Sequence, residues 1–201
     1  MKHLIISPHI DDEILGCFSV LDKDTFVLYC GVEDRSYVSK EERVKELELV
    51  REHTHFKYKI LGNLVNSYKA QDLISAFEQT INEHKPEFVF IPYPSYNQDH
   101  RAVYSAALVA LRPHDTNHFV KKVLVYEECH VVFWSHNHKR SFTPAHFIPV
   151  DINKKTESYK LMKSQVRSFR SPEHVHAMAV LRGGQSNCKH AEGFEILRWI
   201  E

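Results

Sequence analysis

The chain has no excess of charge of either sign: 26 Lys and Arg balance 26 Asp and Glu. No global field therefore directs it to nucleic acid or to an anionic membrane, and any specificity has to come from a local site. Long apolar runs are missing too. Apolar stretches such as residues 88–92 and 123–126 fall far short of the roughly 20 residues that cross a bilayer. The start, MKHLIISPHIDDE, passes straight from a short apolar segment into acidic residues and lacks a signal-peptide pattern. A cytoplasmic protein without a transmembrane segment is expected. Cysteine pairs are absent: Cys17, Cys30, Cys129 and Cys188 are widely spaced with no C-x-x-C, which argues against a zinc-thiolate site or a disulfide framework. All four are expected as reduced thiols, mostly buried. No internal repeat, low-complexity tract or linker divides the chain, and 43% apolar residues suffice for one continuous core. One domain over residues 1–201 follows.

What the sequence has in plenty is histidine, 15 residues, which favours a metal site without locating it. Location comes from order and spacing. Residues 3–7 form an apolar run stopped by Pro8, and Ile14, Leu15, Phe18 and Leu21 then follow at helical spacing. Further strands are predicted at 25–30, 58–61, 88–92 and 123–126, alternating with helices over 39–53, 71–83 and 99–111, the last capped by Asp99. Beyond residue 129 the pattern loosens, to a strand at 145–150, helices over 153–165 and 172–181, and a closing strand at 194–200. Alternating strands and helices predict an α/β fold, a three-layer Rossmann-like sandwich around a mostly parallel sheet.

Two motifs carry chemistry. The first is Pro8-His9-Ile10-Asp11-Asp12-Glu13, where strand one turns into a helix. His9 and Asp12, three apart across the turn, can converge on one ion while Asp11 faces its open side. Acidic residues also favour a helix's first turn for dipole and capping reasons alone. The second is Asn97-Gln98-Asp99-His100-Arg101, after strand four. A lone His100 is more often a hydrogen-bonded surface residue than a ligand, but in a sheet of order 3-2-1-4 strands one and four are neighbours, and the crevice at their carboxyl ends is the expected ligand site. His9, Asp12 and His100 would meet there as a two-His, one-carboxylate set. Such a set leaves room for water, as a catalytic zinc site does, and also suits ferrous iron.

PHIDDE resembles the (A/P)-H-P-D-D-E signature of the PIG-L/LmbE-like family of zinc-dependent N-acetylglucosaminyl deacetylases, and NQDHR resembles its H-x-D-H motif. The similarity continues through KTESYKLMKSQ (155–165), in its lysine and Ser-Gln ending, and through Arg182-Gly183 with Ala191, Glu192 and Phe194. The resemblance implies His9, Asp12 and His100 as metal ligands and Asp11 as general base, in a single deacetylase domain. It implies hydrolysis of an N-acetyl group on an amino sugar, free or conjugated, by metal-activated water, with Zn²⁺ as the metal (Fe²⁺ as the alternative) and a small-molecule N-acyl sugar as the substrate; nucleic acid is not expected as a partner. Ile10 replaces the usual proline, a position without chemistry. Asn97 replaces the first histidine of H-x-D-H, so its amide becomes the candidate donor to the oxyanion. Two further readings stay open: an amidase for another N-acyl conjugate, and a sugar-binding protein without turnover.

Other candidates are weaker. H-x-H pairs occur at 136–138 and 174–176, and both are expected on loops or facing solvent. The run RVKELELVR (43–51) reads as a solvated helix face, and Arg101 as a partner of Asp99 or a phosphate contact. Asp99 is expected to hold the ring of His100 or of a neighbouring histidine. Tyr93 and Tyr96 could stack on a sugar or simply pack, and His190 could line the pocket or pack.

Overall fold

The computed structural model describes residues 1–114, 117–134 and 141–201. Its strands are β1 (His3–Ser7), β2 (Thr25–Gly31), β3 (Lys57–Asn63), β4 (Phe88–Pro92), β5 (Lys122–Tyr126), β6 (His146–Pro149) and β7 (Ala191–Trp199). The helices are α1 (Asp12–Cys17), α2 (Lys40–Thr54), α3 (Ala70–His84), α4 (Gln98–Ala110), α5 (Cys129–Phe133), α6 (Ile152–Leu161) and α7 (Pro172–Ser186). A short 3-10 turn, Phe18–Val20, follows α1.

The sheet runs β3-β2-β1-β4-β5-β7-β6. Pairings from β3 to β5 are parallel, and β7 is antiparallel to both β5 and β6. Alternation along the central strands splits the core in two, as a sheet covered on both faces requires. Leu4, Ile6, Val89, Ile91, Val123 and Val125 pack with Leu73, Phe77 and Ile81 of α3 and Val103 and Ala106 of α4. On the other face Ile5, Val27, Phe90 and Leu124 meet Leu47 and Val50 of α2, Tyr159 of α6 and Met178 of α7. This is the expected three-layer α/β fold. The chain leaves β1 toward one edge and β4 toward the other, so the strand order reverses between β1 and β4 and opens a crevice at their carboxyl ends.

Several boundaries differ from the sequence expectation, each for a local reason. Helix α4 is capped by Asn97, whose Oδ1 accepts the Asp99 N–H at 2.9 Å, and not by Asp99. Helix α6 stops at Leu161, four residues early, because the Tyr159 hydroxyl donates to the carbonyls of Gln165 and Arg170 and pins the chain in a turn. Helix α7 continues past residue 181 to Ser186. Gly183 there lies flush with the backbone of Cys188 and Lys189, 2.7 Å from where a Cβ would stand, so this glycine serves close packing. Strand β7 begins at Ala191 rather than 194.

A buried ion pair joins the two halves of the molecule. Lys155 Nζ of α6 lies 2.6 Å from Glu192 Oε1 of β7 and donates to the Leu15 carbonyl at 2.7 Å. Glu192 also accepts the N–H groups of Phe18 and Ser19. All four cysteines are free; Cys17, Cys30 and Cys129 are buried and Cys188 half-buried. Among the described residues, no helix is long and apolar enough to cross a membrane.

Candidate metal centre

His9 and Asp12 sit on the tight turn from β1 into α1, and His100 in the first turn of α4, so the crevice between β1 and β4 brings them together. One ligand atom from each lies within 4.8 Å of the other two. Asp12 Oδ2 is 3.5 Å from His9 Nδ1 and 3.6 Å from His100 Nε2. Tetrahedral ligands with bonds of about 2.0–2.1 Å stand about 3.3 Å apart, so this donor set fits a zinc-sized ion. The second nitrogen of each ring meets a carboxyl group. His9 Nε2 lies 3.1 Å from Asp99 Oδ2, and His100 Nδ1 lies 3.6 Å from Glu128 Oε1. An outer carboxylate hydrogen-bonded as Asp99 is fixes ring orientation and raises ligand basicity, whereas the His100–Glu128 separation is beyond hydrogen-bond distance and burial pushes Glu128 well above the usual carboxylate range. Asp99 is itself held by the N–H groups of Asn66 at 2.6 Å and Tyr68 at 3.3 Å. It orients the neighbouring histidine, His9, and not His100.

Asp11 caps α1 at φ 129°, a conformation that side chains other than glycine rarely adopt. Four hydrogen bonds hold it there. Its N–H donates to Glu13 Oε2 at 3.0 Å, its carbonyl accepts from Ile14 and Leu15, and the preceding carbonyl, of Ile10, accepts from Arg43. The carboxylate receives Arg170 Nη1 at 3.0 Å, with Arg43 Nη2 3.8 Å away. Burial raises Asp11 to about 6; Arg170 and Arg43 oppose the rise, and Asp12 adds to it. Glu13, fully buried, is pushed up by desolvation to about 8 and is a neutral carboxylic acid at pH 7. Asp12 is also buried, but the imidazoles of His100 and His9 hold it well below the usual carboxylate range. Burial lowers His100 to about 4, whereas for His9 the contacts with Asp12 and Asp99 overcome burial and raise it to about 10.

A cleft of about 190 Å³ opens over these groups, lined also by Glu33, Tyr96, Asn97, His130, Gln165, Phe169 and Arg170. Arg43 contradicts the solvated-face reading of its helix: it is 1% exposed and bonded to Glu46, Ser164 and the Ile10 carbonyl. Arg101 donates to the carbonyls of Ser95 and Tyr96 rather than to Asp99. Tyr93 is buried against Phe142, while Tyr96 reaches the cleft. His190 packs on His176, and His174 bonds Ser171; none of the three lines the cleft. His136 and His138 lie outside the described residues. Sequence reading missed Arg43, Glu128, His130 and Arg170. Glu128 and His130 carried a usable signal, since they follow the end of β5 as NQDH follows the end of β4.

No protein-family model and no curated protein matches the sequence. Solved structures do match over essentially the whole chain. The N,N'-diacetylchitobiose deacetylase from Pyrococcus horikoshii aligns at 18% identity and a TM-score of 0.76, over 98% of this chain and 84% of that one. The 4-carboxy-2-hydroxymuconate hydratase GalB from Pseudomonas putida KT2440 aligns at 18% identity and 0.75, over 100% and 99%. The teicoplanin deacetylase Orf2, in a zinc-inhibited form, aligns at 16% identity and 0.73, over 98% of each chain. The chain therefore has the PIG-L/LmbE-like fold, a fold that carries deacetylases and a hydratase alike.

Proposed function

We propose that the protein is a metal-dependent N-deacetylase acting on an N-acetylated amino sugar or a conjugate of one. The observation that carries this reading is the convergence of His9, Asp12 and His100, with the carboxylate of Asp11 buried beside them. His9 through Nδ1, Asp12 through Oδ2 and His100 through Nε2 would hold the ion, Zn²⁺ in this reading and Fe²⁺ as the alternative. When bound, a divalent ion supplies Lewis acidity toward water and the acyl oxygen.

The chain's own groups do the rest. Asp11, near 6, accepts a proton from the attacking water and returns it to the departing amine, because amide cleavage needs first a base and then an acid. Arg170 and Arg43 keep that carboxylate ionised and aimed between reactions. Asn97 caps α4 through Oδ1, which leaves its Nδ2 to donate to the oxyanion. Tyr96 and Phe169, 43% and 55% exposed, stand at the cleft and offer ring faces to a sugar. The cleft is smaller than the roughly 300–1,000 Å³ of drug-sized sites, which favours a compact acyl group.

The test is release of acetate and free amine, in equal amounts, from a panel of N-acetylated sugars, sugar nucleotides and sugar lipids by metal-reconstituted protein. A different acid in place of acetate selects an amidase of another acyl group. The likeness to GalB supports hydration of an unsaturated carboxylic acid as the second reading. Water addition to such an acid, with no amine from any N-acyl compound, selects it.

A further inference from the structure

We propose that His130 is a catalytic residue of this site, the principal N–H donor to the oxyanion, in place of the motif histidine that Asn97 replaces. The inference rests on the deacetylase reading and concerns a residue outside both motifs. His130 lies on α5, just after β5, and lines the same cleft as His9, Asp11, Asp12 and His100. Buried Cys129 and Val131 anchor the short helix on either side of it, 3% and 2% exposed. The ring of Phe169 meets the imidazole edge-on at 6.0 Å.

The His130 side chain is only 9% exposed, and its Nδ1 is buried without a hydrogen-bond partner. Leaving such an atom unsatisfied is destabilising, so its retention beside a cleft points to a ligand that satisfies it. The other nitrogen, Nε2, lies 3.5 Å from Glu128 Oε2, while Glu128 Oε1 lies 3.6 Å from His100 Nδ1. One carboxyl group thus lies between a proposed metal-binding ring and the His130 ring. Asn97, whose Oδ1 caps α4, keeps its Nδ2 as a second donor beside it.

The test compares metal-loaded wild-type protein with His130→Phe, His130→Gln and Asn97→Ala on the N-acetyl sugar turned over fastest. His130→Phe should lower kcat by about 10²–10³ with KM within threefold and one ion still bound, the range seen for loss of an oxyanion donor. His130→Gln, which restores a donor, should recover at least tenfold, and Asn97→Ala should lose less than His130→Phe. Calorimetric binding supplies a readout apart from turnover. A methylphosphonamide of glucosamine, tetrahedral and anionic at phosphorus, should bind His130→Phe about 10² more weakly, while acetate binds it as it binds wild type. An unchanged kcat in His130→Phe, no recovery in His130→Gln, or equal loss of phosphonamide and acetate binding overturns the proposal. If wild type frees no amine from any N-acyl sugar, the deacetylase reading fails, and the phosphonamide comparison still decides whether His130 meets a tetrahedral anion.

Discussion

Asp11 and Asp12 are adjacent, equally buried carboxylates with opposite surroundings. Two imidazoles flank Asp12 and keep it anionic, as a ligand must be, while Asp11 faces Arg170 and sits at about 6, suited to taking and giving a proton. Asp11→Asn should therefore keep its metal and lose turnover by about 10² or more, and Asp12→Asn should lose both. Metal analysis of the two variants checks this, and the reverse pattern exchanges their roles. His9 makes a second point at this scale. Contacts with Asp12 and Asp99 raise His9 to about 10 against the effect of burial, so a divalent ion held there would have to expel its proton. Between pH 7 and 9 the apparent affinity should rise about tenfold per unit, and calorimetry in buffers of different ionisation enthalpy should show at least one proton released per ion. The same shift affects stability without metal. A raised histidine pKa contributes stability that is full below the unfolded value of 6.5 and is lost as pH climbs through about 10. Glu13 acts in the same direction, its contribution disappearing between 4.5 and about 8. The melting temperature of chelator-treated protein should accordingly fall from pH 7 to 10.

At the scale of elements, the site depends on how closely α1 lies against β5. A Cβ on Gly16 would stand 2.3 Å from the Tyr126 ring and 2.9 Å from the Glu127 carbonyl. Gly16→Ala should push α1, and the PHIDDE turn with it, off the sheet, at a cost of about 1–3 kcal/mol by urea unfolding. Asn97→Ala removes the α4 cap and should cost about 1 kcal/mol, with less loss of turnover than Asp11→Asn. These elements also show what the sequence could reveal. PHIDDE and NQDH were legible because each is a local motif at the end of an apolar strand, and the 3-2-1-4 order that joins them is one that doubly wound Rossmann-like sheets take. Asn97 as cap was misread because Asp99, two residues on, is an equally good capping residue until its carboxylate is seen to be taken by His9 and Asn66. Arg43 and Arg170 were illegible for a different reason. They reach Asp11 across 32 and 159 residues of chain, and neither separation leaves a periodic trace.

Across the whole molecule, the antiparallel β7 extends the parallel sheet beyond β5 and carries the edge strand β6, and the Lys155–Glu192 pair fastens it to α1 and α6. Removing one member of a buried pair leaves the other charge without compensation. Lys155→Met should cost about 3–5 kcal/mol in a denaturant titration while the proposed metal ligands, on other elements, stay in place. The parallel half supplies the site, and the carboxyl-terminal half supplies Arg170 and the brace behind it. The most direct test of the whole is an anomalous difference map from a zinc-soaked crystal of the full chain. One peak is expected, about 2.0–2.2 Å from His9 Nδ1, Asp12 Oδ2 and His100 Nε2. A protein that binds zinc only elsewhere, or a crystal with no peak between β1 and β4 at saturating zinc, would contradict the assignment of these residues as a metal centre.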